Sequence, residues 1–308
     1  MNPAFSVILF TTLSGAGYGL LAWLGMQYAL RPLPLQREVT LTALGIGLAL
    51  VTIGLSSSVF HLGKPARAWR AFSQWRTSWL SREGVLSLIT YVPALLLAWL
   101  VSRGESSVLA HVAGIALALC SMATVACTAM IYACLKPVPA WQHQLVLPGY
   151  LLFALANGWM FFLALASHGD WQPPMIALID TAVLALALAV LKCIYWRAID
   201  RIELPSREAA TALEGIGRVT TFERPHTEAN YLTREMGFVL ARKHSRKLRV
   251  IALLLFAGIP LLALLLAWLM PVAAVFALWI AALSALLGAF VERWLFFAEA
   301  KHMVTLYY

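Results

Sequence analysis

A chain of 308 residues of which 61% are hydrophobic and only 12% charged cannot form a water-soluble surface around one core, so it reads as a polytopic membrane protein. The formal net charge of +9 must then reside in the connections between spans, where it reports topology rather than affinity for nucleic acid.

The first element is the apolar run from Ala4 to Ala29. Met1-Asn2-Pro3 lacks the positively charged start of a secretory signal, and the run is long enough for a hydrocarbon core of roughly 30 Å, so an uncleaved transmembrane helix is expected. Gly15, Gly17 and Gly19 follow no strand and so do not read as a phosphate loop; Gly15 and Gly19 read as a GxxxG ridge for close helix packing. With a window of about 19 residues, further apolar runs fall near 39–61, 84–102, 107–135, 144–167, 175–196, 249–270 and 272–297. All should be helical, because backbone amides in lipid must be satisfied within the segment and these Leu/Ala-rich runs lack the alternation of barrel strands. The expected fold is an all-α polytopic membrane helical bundle with eight transmembrane helices. Residues 1–308 form one integral membrane domain with a long loop at 198–248.

Cys120, Cys127, Cys134 and Cys193 show no close pairing and lie in apolar runs, which supports neither a disulfide framework nor an iron–sulfur or zinc site. The first three recur every seven residues and point one face of small side chains at a neighbouring helix. Asn157 in span five is expected to make an interhelical hydrogen bond, and Asp180 lies near enough to the outer end of span six to reach water. Trp69, Trp75, Trp79, Trp141, Trp171 and Trp196 fall near predicted interfaces, as an aromatic belt does.

An even number of spans puts both termini on one side. Of the 23 Lys and Arg residues, only Arg31, Arg37 and Arg103 fall on the opposite side. The positive-inside rule therefore places the termini, the 62–82 link and the 198–248 loop in the cytoplasm.

The link between spans two and three carries Lys64, Arg67, Arg70, Arg76 and Arg82, with His61 closing span two and Glu83 opening span three. Span eight returns to the same side at Glu292-Arg293, followed by His302. An imidazole, carboxylates and guanidiniums gathered at one membrane level suit a quinone headgroup, because cations donate to its oxygens and an imidazole or carboxylate moves the proton that accompanies each electron. The same residues also fit a plainer reading, in which they snorkel at the interface and terminate helices. The 198–248 loop is too short for an enzyme domain and too long for a simple connection, which makes it a docking surface for a soluble partner or a solvated loop. Lys64, Arg70 and Arg76 of the link, and Phe222 and Arg224 of the loop, are the candidate docking residues.

The segment His61-Leu62-Gly63-Lys64-Pro65-Ala66-Arg67-Ala68, the eight-span plan, Glu83 and the closing Arg293 with His302-Met303 resemble the dimethyl sulfoxide reductase anchor-subunit family. That resemblance implies the membrane subunit of a three-part molybdoenzyme in a bacterial inner membrane, beside an iron–sulfur electron-transfer subunit and a molybdopterin catalytic subunit. It implies a site for quinone or quinol (ubiquinone or menaquinone) at His61 and Glu83, supported by Arg67 and Arg293, with no haem or metal in this subunit. The longer, more basic 198–248 loop is similar to the sulfite-oxidising branch. Two other classes remain as alternatives. A b-type cytochrome needs facing axial histidines inside the membrane, whereas His61 and His111 are predicted at opposite sides and His143, His168 and His302 at or beyond span ends. A secondary transporter needs broken helices with polar groups at the midplane, whereas these spans read as unbroken.

Overall fold

The computed structural model describes residues 4–30, 36–60, 62, 64–105, 107–168, 173–220, 222–223 and 240–306, with side chains from 243 onward in the last segment. Arg31, His61, Trp171 and Arg224, all named above, lie outside the described residues. Among those described there is no strand, and eight helices are long and apolar enough to cross a membrane. They are α1 (Phe5–Leu30), α2 (Arg37–Val59), α3 (Trp79–Ser102), α4 (Val108–Ala133), α5 (Val146–Ala166), α6 (Met175–Ile199), α7 (Lys243–Leu269) and α8 (Ala274–Ala298).

Two boundaries differ from the hydropathy reading, each for a local reason. Ser78 has extended backbone and its hydroxyl accepts the Ser81 N–H, so α3 starts five residues before the apolar run and Glu83 lies inside the helix rather than at its head. The basic stretch around Lys243, Arg246 and Lys247 is already helical from Leu240, so the end of the expected 198–248 loop is the solvated first part of α7. That helix is not regular either. Pro260 has no N–H and its ring crowds the preceding turn, and Leu254–Gly258 widens into a π turn. The Ser284 hydroxyl of α8 donates to the Leu255 carbonyl there (2.7 Å), so the altered backbone is still satisfied inside the bundle.

The packing forms two halves. α1 packs on α2 and α4, and α3 on α4; α5 packs on α6 and α8, and α7 on α8. The halves are joined along α1 and α5, which are the most buried spans at 72% and 83%. Their contact is backbone to backbone. A Cβ on Gly19 would run into the Ala154 carbonyl, and one on Gly158 would run into the Gly19 backbone. The expected Gly15–Gly19 ridge is thus only half a ridge, since a Cβ on Gly15 would meet nothing within 4 Å and Gly15 instead borders a small chamber.

One end of the bundle gathers the chain terminus and the charged connections. There the Ser57 hydroxyl of α2 donates to the Ser6 carbonyl (3.0 Å), the Trp141 indole to Phe296 (2.9 Å) and the Tyr195 hydroxyl to Ala140 (2.9 Å). At the opposite end the Trp279 indole donates to the His168 ring nitrogen (2.7 Å).

Candidate functional site

The link from α2 to α3 folds back over the bundle. From Pro65 to Gln74 it is a 3₁₀ helix, opened by a proline whose fixed φ suits a first turn. Arg82 of α3 holds it down, its Nε donating to the Trp75 carbonyl (3.0 Å) and its Nη2 to that of Arg76 (2.6 Å), while the Ser81 hydroxyl donates to Ala71. Phe72 lies over Gly84, where a Cβ would approach the ring to 2.9 Å; the bare backbone at Gly84 lets the link close onto α3.

Beneath this roof is a cavity of about 580 Å³. Val7 and Phe10 of α1, Leu55 and Val59 of α2, Leu80 and Leu88 of α3 and Ile131 of α4 make its apolar walls. Its polar groups are Lys64 and Arg67 of the roof, Glu83, Ser58, Ser87 and Tyr132. Leu80, Leu88 and Val59 are also exposed on the outside of the helices, where hydrocarbon would meet them. An apolar space of this size with a few polar groups in its lining fits an amphiphile with a polar head and an apolar tail.

Glu83 is 4% exposed and accepts a hydrogen bond from the Thr128 hydroxyl of α4. A carboxyl placed among apolar side chains is costly without such a partner, and ionisable groups inside membrane spans are retained for a reason.

Of the expected site residues, Glu83, Arg67 and Lys64 are brought together around this cavity, with Arg67 and Lys64 on its exposed roof. Arg293 is not brought to it. That side chain is 4% exposed in α8, pairs with Glu292 (Nε to Oε2 3.0 Å) and stands 3.8 Å from the Tyr150 ring centroid. His302 lies just past α8, its Nδ1 accepting the Val304 N–H (3.0 Å) and its pKa lowered by burial. Of the candidate docking residues, Arg70 and Arg76 are exposed on the link and Phe222 is fully exposed on the loop. Asn157 differs from its expected role: its amide donates to Phe153 of its own helix (2.9 Å), not across to another.

Sequence reading passed over Thr128 and Tyr132, and the carboxylate that faces Arg293 has a further partner. Lys192 of α6 forms an ion pair with Glu292, and both are buried. The signal was present, since each is an ionisable residue inside an apolar run within two turns of its helix end. Nearer the surface, Arg249 binds Asp200 through two parallel hydrogen bonds (2.7 and 2.8 Å) and pairs with Glu299 (3.1 Å). The hydrogen bonds from Arg249 hold the Asp200 carboxyl below its ordinary range, and burial pushes that of Glu299 up.

The eight-span chain belongs to a known class of membrane protein. The profile of the DMSO reductase anchor subunit (DmsC) family matches residues 1–298, and the chain belongs to that family. It is a multi-pass membrane anchor of a molybdoenzyme complex. A more particular likeness is to a subunit of the sulfite dehydrogenase of Allochromatium vinosum, 33% identical over 328 aligned positions that cover 100% of this chain and 99% of the relative.

Proposed function

We propose that this chain holds the quinone site of its complex and exchanges electrons between the membrane quinone pool and an iron–sulfur electron-transfer subunit, which serves a molybdopterin catalytic subunit. The observation that carries the proposal is the cavity of about 580 Å³, with the buried Glu83 among its few polar lining residues and apolar walls around them. The bound quinone, ubiquinone or menaquinone, supplies the two-electron chemistry. The chain supplies position and protons. Glu83 gives or takes a proton, Arg67 and Lys64 place positive charge at the roof, and His61, by its place in the family motif, serves as a second proton carrier. Arginine stays protonated, so the part of Arg67 is electrostatic. Arg293 acts from a neighbouring chamber rather than by contact with the headgroup.

The likeness to a sulfite dehydrogenase favours sulfite as the substrate of the catalytic partner. The basic link and the 198–248 loop form the docking face, which lies in the cytoplasm of a bacterial inner membrane together with both termini.

A photoreactive short-chain quinone analogue tests the assignment. It should label peptides holding Val7, Leu80 or Ile131 in membranes containing the complex, and excess unlabelled quinone should suppress the labelling. Labelling confined to other segments would overturn it.

A further inference from the structure

We propose that a second, smaller chamber beside the cavity holds an ordered water that exchanges protons with Glu83 through Thr128, in the field of the buried Lys192–Glu292–Arg293 cluster. The proposal rests on the quinone reading of the cavity and adds the path by which its protons are exchanged.

The chamber lies between α1, α4, α5 and α8 and has a volume of about 20 Å³. That is room for one water molecule, which needs roughly 10–15 Å³. Four buried polar atoms of its lining residues have no hydrogen-bond partner in the protein: Thr12 Oγ1, Tyr150 Oη, Asn157 Oδ1 and Arg293 Nη1. Thr12, Tyr150, Asn157 and Arg293 are each at most 5% exposed, so bulk solvent does not satisfy these atoms. Buried polar atoms in native proteins are almost always met by protein or by an ordered water, and a buried water characteristically makes about three hydrogen bonds. Two hydroxyls, an amide oxygen and a guanidinium N–H on the lining of a one-water volume meet that demand.

Thr128 connects this chamber to the cavity. It lines the chamber, and its hydroxyl donates to Glu83 on the cavity side. A hydroxyl that donates on one side still accepts on the other, so it passes a proton by exchanging the two roles. Tyr132 lines the cavity and stacks on Tyr150, which lines the chamber, with centroids 6.1 Å apart. Beyond the chamber the groups continue outward. Arg293 pairs with Glu292, Glu292 with Lys192, and Lys192 lies 5.3 Å from the Trp196 ring, on which Arg249 also lies at 5.6 Å. Arg249 then holds Glu299 and Asp200, whose side chain is 57% exposed.

The carriers are Glu83, the Thr128 hydroxyl and the chamber water, and the Lys192–Glu292–Arg293 cluster sets the charge beside them. Oxidation of a quinol releases two electrons and two protons; the electrons go to the iron–sulfur partner, and the proton taken by Glu83 leaves through Thr128 and the chamber while His61 carries the other. Reduction of a quinone runs the same steps in reverse. The route matters because the roof, with ligand beneath it, closes Glu83 off from the surface.

If the cluster only fastened α6 to α8, its removal would change stability and leave proton movement alone. The test uses the intact complex in lipid nanodiscs with Thr128→Val and Glu292→Gln, both close in volume to the original, and Glu83→Gln for comparison. Thr128→Val and Glu292→Gln should each lower quinone-linked kcat at least tenfold with the quinone KM changed less than twofold. Each should enlarge the solvent deuterium isotope effect on kcat and leave dye-linked turnover by the soluble subunits unchanged. A high-resolution structure of the wild-type complex should show ordered water within hydrogen-bond reach of Thr12, Asn157 and Arg293. A dry chamber, or wild-type kcat in Thr128→Val, overturns the relay, and Thr128→Val decides alone if Glu292→Gln fails to assemble. If Glu83→Gln slows turnover while both other variants run at the wild-type rate, the relay falls and the quinone site stands. If Glu83→Gln also runs at the wild-type rate, the quinone reading itself falls.

Discussion

Replacing Glu83 by Gln isolates one property of the site, its ability to hold a proton that can leave. The side chain keeps its volume, the amide oxygen still accepts from Thr128, and the surrounding walls need not move. What is lost is proton transfer by a positioned carboxyl, which contributes about 10²–10⁴-fold in rate. The lower figure applies here, because Ser87 and Tyr132 line the same cavity and leave slower routes for a proton. A loss of about 100-fold corresponds to about 2.7 kcal/mol of barrier at about 1.36 kcal/mol per factor of ten. Stability should not fall, since a buried carboxyl that ionises is itself costly in a site that is 4% exposed. The assay compares quinone-linked with dye-linked turnover in membranes containing the assembled complex. Only the quinone-linked rate should drop. Quinone-linked turnover above half the wild-type rate in Glu83→Gln would refute the reasoning, because no buried proton carrier at the headgroup could then be needed.

Gly158→Ala should separate α1 from α5, since its Cβ would collide with the Gly19 backbone; overpacking of this kind costs about 1–3 kcal/mol, and a detergent thermal-shift assay should show a lower midpoint. In a chain whose four native cysteines have been replaced, a cysteine at Gly104 should react with an impermeant thiol reagent in intact cells and one at Arg76 should not; the reverse pattern would invert the topology. The Asp200 carboxyl is held low by Arg249, so the stabilisation from this pair is complete above the unfolded pKa of about 3.9 and is lost as pH falls through the lower folded value. Thermal stability of the solubilised chain should therefore fall below about pH 4, and Asp200→Asn should flatten that limb.

The eight spans were legible because lipid demands long apolar helices and little else resembles them in a sequence. Glu83 and the basic link were legible for the complementary reason, as charge beside an apolar run stands out. What could not be read was which charged residues share a cavity. Glu83 lies near the start of α3 and Arg293 near the end of α8, yet Thr128 and the stacked Tyr132 and Tyr150 stand between their chambers. That partition depends on how α1, α4, α5 and α8 rotate against each other, and glycines at 19 and 158 fix part of it through a contact between residues far apart in the chain. The π turn before Pro260 was equally hidden, because its satisfaction comes from Ser284 on another helix.

The relation between burial and polarity in this bundle is the reverse of that in a soluble protein, and it locates the working parts. α1 and α5 are the most buried spans and also have the lowest mean hydropathy of the eight. Helices that face lipid must be apolar all round their outer surface, whereas a central helix can carry Thr11, Thr12 and Ser14, or Asn157, at no cost to lipid contact. α1 uses this freedom on two sides. Val7 and Phe10 face the large cavity, while Thr11, Thr12 and Ser14 line the small chamber. Thr128 on α4 spans the same division. The apolar cavity that would hold a quinone tail and the polar chamber that would carry protons are thus separated by one layer of side chains, and the protons can travel without opening the ligand site to water.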